Sequence, residues 1–174
     1  MIDNPVLQNI FTRRSVRAFK PEPLTHEELE TIVRAGIFAP TGMHIETRRF
    51  TVVEDKALIA SLEREVARAG GRGDKYNFYG PAAFVMLSEE RENKNGLANC
   101  ACALENMQLA AWSLGVGSVW INQFKLICDD EGIRARLRSL EIPDDHIVWG
   151  CLSLGYPAKA PEQFGKDETV VRWF

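Results

Sequence analysis

Residues 97–123, LANCACALENMQLAAWSLGVGSVWINQ, hold the strongest pattern in this chain, a long apolar helix that leads directly into a strand. Between Gly96 and Leu114, apolar side chains occur on more than one face, which is typical of a helix packed at the centre of a fold. Gly115 fits a helix C-cap, and the apolar run Ser118–Ile121 predicts a short strand. We therefore expect a buried central helix whose end passes straight into a sheet.

The segments on either side of this helix complete the predicted fold. Three further apolar runs predict strands, at Phe50–Val53, Ala83–Leu87 and Ile147–Leu154. Other helices are predicted from apolar spacing and from their caps, which are Asn4 with Pro5, Thr25 with Glu28, Asp55, and Asp129 or Asp130. No linker or repeat interrupts this order. The order predicts one α+β or α/β domain over residues 1–174, with a four-stranded sheet flanked by helices.

The composition argues against several classes of protein. The net charge is −3, with 21 Lys+Arg against 24 Asp+Glu, whereas nucleic-acid-binding proteins usually carry a basic excess. The N-terminus lacks a charged segment followed by a long apolar run, and no apolar stretch is long enough to span a bilayer. We expect a cytoplasmic protein that binds neither nucleic acid nor membrane.

The residue types that most often carry chemistry are scattered along the chain. The four cysteines form no paired C-x-x-C motif, and the nearest two, Cys100 and Cys102, would point to different faces of a helix. The three histidines lie far apart without zinc-binding spacing, and neither a G-x-S-x-G motif nor a P-loop occurs. If the protein is an enzyme, we expect a bound cofactor to perform the difficult step.

Basic side chains cluster between the first two predicted helices. Arg13, Arg14 and Arg17 lie close together in sequence with the hydroxyl of Ser15, in an otherwise acidic protein. Guanidinium groups match phosphate oxygens with paired hydrogen bonds. The cluster predicts an anion-binding loop, and the alternative at this point is a solvated basic turn.

The glycines after the long helix do not form a Rossmann fingerprint. Gly115 and Gly117 follow a helix and precede a strand, whereas that fingerprint follows a strand and opens a helix. A binding role here would use backbone amides just after the strand, at Asn122 and Gln123. The stretch 39–42, taken alone, predicts an ordinary helix end.

Taken in order, these stretches resemble the nitroreductase family. RRSVRAF (13–19) is similar to that family's R-R/H-S-x-R-x-F signature, and IFAPTGMHIETRRF (37–50) to its A-P-S-x-x-N-x-Q-P-W-x-F segment. NFYGPAAFVMLS (77–88) is similar to its A-P strand, residues 97–123 to its N-M-x-L-A-A-x-x-x-G-L-G-S-x-W-I helix, and IPDDHIVWGCLSLGYPAKAP (142–161) to its L-G-Y-P ending. The ordered set extends over nearly the whole chain and is more specific than any one motif.

The resemblance implies a nitroreductase-like α+β (α/β-like) fold, in which the four-stranded sheet is mainly antiparallel. It also implies an FMN-containing homodimer with two active sites at the subunit interface. Such an enzyme transfers electrons from NADH or NADPH to nitroaromatic compounds, quinones or similar electrophilic acceptors, in the alternating half-reactions of a ping-pong mechanism. The chemistry takes place at flavin N5, so no side chain is obliged to act as a catalytic acid or base.

The resemblance also implies which basic residues hold FMN. Arg13 and Ser15 match positions that meet the flavin phosphate and ribitol, and Arg14 lies beside them. Arg17 matches a basic residue near the pyrimidine ring, where a cation stabilises the anionic reduced flavin. Lys166 lies near a late position that meets the phosphate.

Two further groups of residues match positions near the flavin ring. Asn122 and Gln123 match positions whose backbone lies beside the reactive side of the ring. Pro40, Thr41 and His44 match the segment that one subunit contributes near the flavin. His44 stands where the family usually has asparagine, which leaves the preference for substrate and nicotinamide open.

The C-terminal tail gives a second argument for a dimer. Trp173 and Phe174 at its end could pack on a partner subunit. The alternative is that the tail folds on its own subunit.

Two other functions remain open from the sequence. A flavin or nucleotide carrier, or a regulatory domain, could keep this fold without turnover. A thiol-based redox protein could use Cys100 or Cys151, although the apolar pattern around both thiols predicts raised pKa values and low reactivity.

Overall fold

Four strands form one antiparallel sheet. They are β1 (Arg49–Val53), β2 (Ala83–Glu90), β3 (Gly117–Ile121) and β4 (His146–Gly155), and their order across the sheet is β1–β2–β4–β3. The computed structural model describes residues 2–163 and 165–174. All three strand pairs are antiparallel, which confirms the predicted α+β fold with its four-stranded sheet.

Helices surround this sheet. Those in the described residues are α1 (Pro5–Thr12), α2 (His26–Ile37), α3 (Lys56–Ala69), α4 (Gly96–Ser113), α5 (Phe124–Ile127) and α6 (Glu131–Ser139). Single 3₁₀ turns occur at Gly42–His44 and Glu168–Val170. Across the described ranges, no helix combines the length and the apolar character that crossing a membrane requires.

Both faces of the sheet are covered by helices. On one face, α2 and α4 pack over Val85 and Leu87, and on the other, α3, α5 and α6 pack over Phe84 and Met86. Alternate residues of β2 therefore point into two different cores. This two-sided burial explains why the strand appears in the sequence as a continuous apolar run.

The predicted central helix is α4, and it is buried on the side that faces the sheet. Leu104, Met107 and Ala111 are fully buried there. Leu97 and Leu114, which contribute to the same apolar pattern, are 44% and 42% exposed. The two exposed leucines stand at opposite ends of the helix, and Cys102 and Glu105 are exposed between them.

The predicted helix caps at Asn4, at Thr25 with Glu28, and at Asp55 all make their hydrogen bonds. Of the two candidates for α6, Asp130 is the cap, since its carboxylate accepts from the backbone N–H of Ile133. Asp129 is engaged instead by Arg91, at 2.6 Å. Gly115 adopts φ +75 just after α4, the left-handed conformation that favours glycine at a helix end.

The structure departs from the sequence prediction in three places. β2 continues to Glu90, because a register shift between Leu87 and Ser88 lets its polar end keep pairing with β4. The short helix α5 was not predicted. Ile37 continues the apolar spacing of α2 but is 53% exposed, because α2 makes its close contact with α4 one residue earlier, at Gly36.

The apolar face of α1 is not covered within one chain. Val6, Ile10 and Phe11 are 67%, 44% and 53% exposed, and no residue of this helix is buried. The tail behaves in the same way, since Trp173 and Phe174 are fully or almost fully exposed. Its aromatic end does not fold on its own subunit.

Candidate functional site

The basic loop, residues 13–18, is held against β3 at its centre. The backbone N–H of Val16 donates to the carbonyl of Ser118 at 2.9 Å, and Ser15 and Ser118 form a parallel bridge. Gly117 makes this approach possible, because a Cβ there would lie 2.8 Å from the buried side chain of Val16. The sheet edge therefore fixes the backbone of this loop.

Helix α1, which leads into the basic loop, is held against α4 by side chains. Asn9 donates to the carbonyl of Leu109 at 2.9 Å, and Trp112 donates through its indole N–H to Thr12 at 3.0 Å. These contacts lie on one face of α4, about one turn apart. The loop thus enters the site with its direction already set by the central helix.

A groove of roughly 660 Å³ opens beside the basic loop. The groove is lined by four basic side chains that the sequence predicts to bind the cofactor, namely Arg13, Arg14, Arg17 and Lys166. The opposite wall is the tail segment 159–162, which brings Lys159 and Glu162 into the groove. Backbone pairing places that segment here, since Lys20 N–H donates to Tyr156 and Ala158 N–H donates to Ala18, at 2.8 and 2.9 Å.

The basic side chains of the groove differ in how they are engaged. Arg13 donates to the side-chain oxygen of Gln108 at 3.2 Å and lies 3.6 Å from Glu105. Arg14 donates to the carbonyls of Phe11 and Arg13, which ties its side chain to the loop itself.

Ser15 and Arg17 are the two open donors of the groove, which means hydrogen-bond donors without a partner in the described part of the protein. Within residues 2–163 and 165–174, the Ser15 hydroxyl and the Arg17 guanidinium make no hydrogen bond or ion pair with the protein. Both line the groove. A hydroxyl and a guanidinium that point into a basic cavity are suited to an anion with several oxygen atoms.

Asn122 and Gln123 come just after the end of β3, the strand whose Ser118 holds the basic loop. Asn122 follows β3 directly, and its backbone N–H donates to the side-chain oxygen of Gln123 at 3.0 Å. Four residues separate it from Ser118, which corresponds to about 13 Å along a strand. One edge strand therefore connects the groove with this pair of residues, which does not itself line the groove.

The other predicted segment, Pro40–His44, lies away from the groove within one chain. Its Gly42 N–H donates to Asn99 at 2.9 Å, near the start of α4, whereas the basic loop contacts Gln108. These two helix positions are nine residues apart, or about 14 Å along the axis. The structure of one chain does not bring Pro40, Thr41 and His44 together with the basic cluster.

The tip of this segment is exposed and has an unusual backbone. Met43 and His44 both have left-handed φ, at 60 and 57, which is uncommon for residues other than glycine. The side chains of Pro40, Met43 and His44 are exposed, while Thr41 donates to Glu46 at 2.8 Å. Residues 40–44 therefore form an exposed knob on the protein surface.

A buried polar network under this knob was missed by the sequence analysis. The guanidinium of Arg48 donates to the carbonyls of Ala39 and Asn99 at 2.9 and 3.2 Å. The fully buried carboxylate of Glu89 accepts from the Asn99 amide at 3.2 Å and from the hydroxyl of Thr47. Arg48 and Glu89 each lie among other polar residues in the sequence, so no pattern marks them as buried.

The thiols have the environments predicted from the sequence. Cys100 and Cys151 are fully buried, and Cys102, on another face of α4, is exposed. Burial raises the pKa of Cys100 to about 12 and raises that of Cys151 as well. In the part of the chain that the structure describes, no group of three or more His, Cys, Asp or Glu side chains could hold a metal ion.

The family model that matches this chain is that of the nitroreductase family, over residues 10–156. The chain belongs to the nitroreductase family. The matched range contains the basic loop, the exposed knob, the central helix and all four strands.

Solved nitroreductases share this fold along their whole length. A nitroreductase with bound FMN from Bacteroides fragilis is 37% identical, with a TM-score of 0.91, and the match covers 99% of this chain and 100% of that one. A nitroreductase with bound FMN from Desulfitobacterium hafniense is 26% identical, with a TM-score of 0.88 and the same coverage. Among relatives compared by sequence, the FMN reductase (NADPH) of Bacillus subtilis is 28% identical over 175 residues, which cover 89% of this chain and 67% of that protein.

Proposed function

We propose that this chain is an FMN-dependent oxidoreductase that takes electrons from NADH or NADPH and reduces nitroaromatic, quinone or similar electrophilic acceptors. Residues 1–174 would act as one FMN-binding unit. The observation that carries the proposal is the basic groove with its two open donors, Ser15 and Arg17. The FMN bound by the Bacteroides fragilis relative, and the NADPH in the name of the Bacillus subtilis relative, support the choice of cofactor and reductant.

The groove fits the phosphate end of FMN. A phosphate monoester carries close to two negative charges, and it needs cations and hydrogen-bond donors around its oxygens. Arg13, Arg14 and Lys166 would supply the charge and Ser15 a hydroxyl donor, with Lys159 on the opposite wall. Because the groove lies in an acidic protein, this local charge is what would distinguish the site from the rest of the surface.

When bound, FMN supplies two-electron redox chemistry, in which a nicotinamide donates a hydride and an electrophilic acceptor is reduced in a second half-reaction. Arg17 would hold positive charge near the ring and favour its reduced, anionic form. The backbone amides at Asn122 and Gln123 would hydrogen-bond at the ring end, beyond β3. No side chain of the protein is needed as an acid or base, since solvent can supply protons.

The proposal includes a homodimer in which each subunit completes the site of the other. Pro40, Thr41 and His44 of the partner subunit would meet the flavin, because within one chain this segment lies at the far end of α4 from the groove. The exposed apolar residues on α1, namely Val6, Ile10 and Phe11, support a covered interface. The exposed aromatic end of the tail would pack there too.

A visible absorption spectrum of protein reconstituted with FMN and freed of excess tests the proposal. We expect retained bands near roughly 370 and 450 nm that bleach anaerobically with NADH or NADPH and return when a quinone or nitroaromatic acceptor is added. Bands that persist in the presence of both nicotinamides would favour a flavin-binding domain without turnover. A colourless protein would contradict the proposal altogether.

A further inference from the structure

We propose that Gln108 is a positioning residue that holds Arg13 toward the groove, and that it thereby gives the site its selectivity for a phosphorylated flavin over riboflavin. The inference rests on the proposed function, because it concerns how the same groove recognises its ligand. It adds a residue on the central helix that does not line the groove and that the sequence motifs do not mark.

The geometry places Gln108 behind Arg13. The Arg13 Nη1 group donates to Gln108 Oε1 at 3.2 Å, and the Gln108 amide donates in turn to Glu105 Oε2 at 3.4 Å. Gln108 is 4% exposed, so its amide has few alternative partners and little freedom to turn. Gln108 therefore contacts both the cation of Arg13 and the carboxylate of Glu105.

Glu105 competes for the same guanidinium. Its carboxylate lies 3.6 Å from the Arg13 Nε group, at an exposed position outside the groove. This ion pair, exposed to solvent, partly offsets the positive charge of Arg13 and draws it away from an incoming anion. Gln108 engages another arm of the guanidinium, Nη1, with a neutral oxygen, which orients Arg13 without offsetting its charge further.

The fold does not depend on this contact. The same stretch of α4 is anchored by Asn9, which bonds the carbonyl of Leu109, and by Trp112, which bonds Thr12. Met107 next to it packs against Gly36 of α2. Leucine has nearly the volume of glutamine, so Gln108→Leu should keep the packing while it removes the polar contact.

Titration of each apoprotein with FMN and, separately, with riboflavin tests the inference. We expect Gln108→Leu to weaken FMN binding about tenfold, as for the loss of one hydrogen bond to a charged group, and to leave riboflavin binding unchanged. The control is Gln8→Leu, because Gln8 is an exposed glutamine whose side chain bonds Asp3. Combined with Arg13→Ala, Gln108→Leu should add no further loss, since the two residues act through one contact.

Glu105→Gln gives a second test at an exposed position, where folding is not at risk. Removal of the competing carboxylate should strengthen FMN binding about threefold and leave riboflavin binding unchanged. Equal effects on FMN and riboflavin, or no effect of either substitution on FMN, would overturn the inference. Wild-type protein that takes up neither flavin would contradict the proposed function itself, and the inference with it.

Discussion

The two ends of α4 support two loops of opposite character. At one end, the basic loop (residues 13–18) is held by α4 and by β3, and its side chains line a groove within the same chain. At the other end, the segment Pro40–His44 is held by the bond from Gly42 to Asn99 and by the buried network behind it, and its tip is exposed. The basic loop lines a groove, whereas the other segment projects from the surface as a knob.

This difference indicates how the work of the site is divided. The phosphate end of the proposed FMN site can be built from one chain, because its cations, its hydroxyl and its opposite wall are all present around one groove. Under the proposed function, the knob would contribute to the flavin site across a subunit interface. The two loops should therefore respond differently to substitution.

The largest effect is expected at the basic loop. Arg13→Ala combined with Arg17→Ala removes two cations from the groove, and we expect FMN affinity to fall at least about a hundredfold, as for the loss of two charge-assisted contacts. Retention of flavin after gel filtration and fluorescence titration would measure the loss. Thermal stability should change little, because both side chains are at least partly exposed.

The matched control removes two arginines elsewhere. Arg64 and Arg138 are exposed on α3 and α6, away from the groove, so Arg64→Ala with Arg138→Ala changes the net charge by the same amount. This double variant should keep its flavin. A basic-loop variant that purifies with full flavin would show that the phosphate site lies elsewhere.

The fold could be predicted from the sequence because its signals are local. Continuous apolar runs marked the four strands, and cap residues such as Thr25 and Asp55 placed helix starts correctly. The polar end of β2 could not be predicted, because Ser88 to Glu90 pair with β4 only after a register shift that depends on both strands.

The candidate site could be predicted only in part. Three arginines and a serine so close in sequence remain neighbours in any fold, so the basic loop was visible without a structure. Its supports were not visible, because Gln108 and the tail wall at Lys159 come from distant parts of the chain. The same holds for Arg48 and Glu89, whose burial results from tertiary packing and not from any pattern around them.

A smaller effect, on stability and not on phosphate binding, is expected under the knob. Asn99→Ala removes the acceptor of the Gly42 N–H and a donor to the buried Glu89 carboxylate, so we expect a loss of about 2–4 kcal/mol in the free energy of unfolding. Urea unfolding of the apoprotein measures this loss. The control is Asn106→Ala on the same helix, which removes a single bond to the carbonyl of Ala35 and should cost about 1 kcal/mol.

Comparison of Asn99→Ala with Asn106→Ala tests whether the two ends of α4 act independently. If the division holds, Asn99→Ala weakens the fold near the knob, while affinity for inorganic phosphate, which needs only the groove, stays at its wild-type value. A selective loss of phosphate affinity with unchanged stability would mean that the knob and the groove act as one site within a single chain.

The smallest effect is a dependence of stability on pH that arises at the end of the sheet where β1 begins, on the face covered by α3, α5 and α6. His146 is buried beside Ser88, with its Nδ1 3.0 Å from the serine oxygen, and burial lowers its pKa below the ordinary value of 6.5. As pH falls below about 6.5, the unfolded chain takes up a proton that the folded chain resists, so stability falls. Between pH 7 and 5.5 we expect a loss of at most about 1 kcal/mol in the free energy of unfolding, measured by urea unfolding. His146→Gln should abolish this loss, and His26→Gln, at an exposed position, should retain it.

The affinity for flavin phosphate per folded molecule should not follow this change, because His146 lies on β4 and does not line the groove. A parallel decline in affinity would mean that the buried end of the sheet also controls the basic loop.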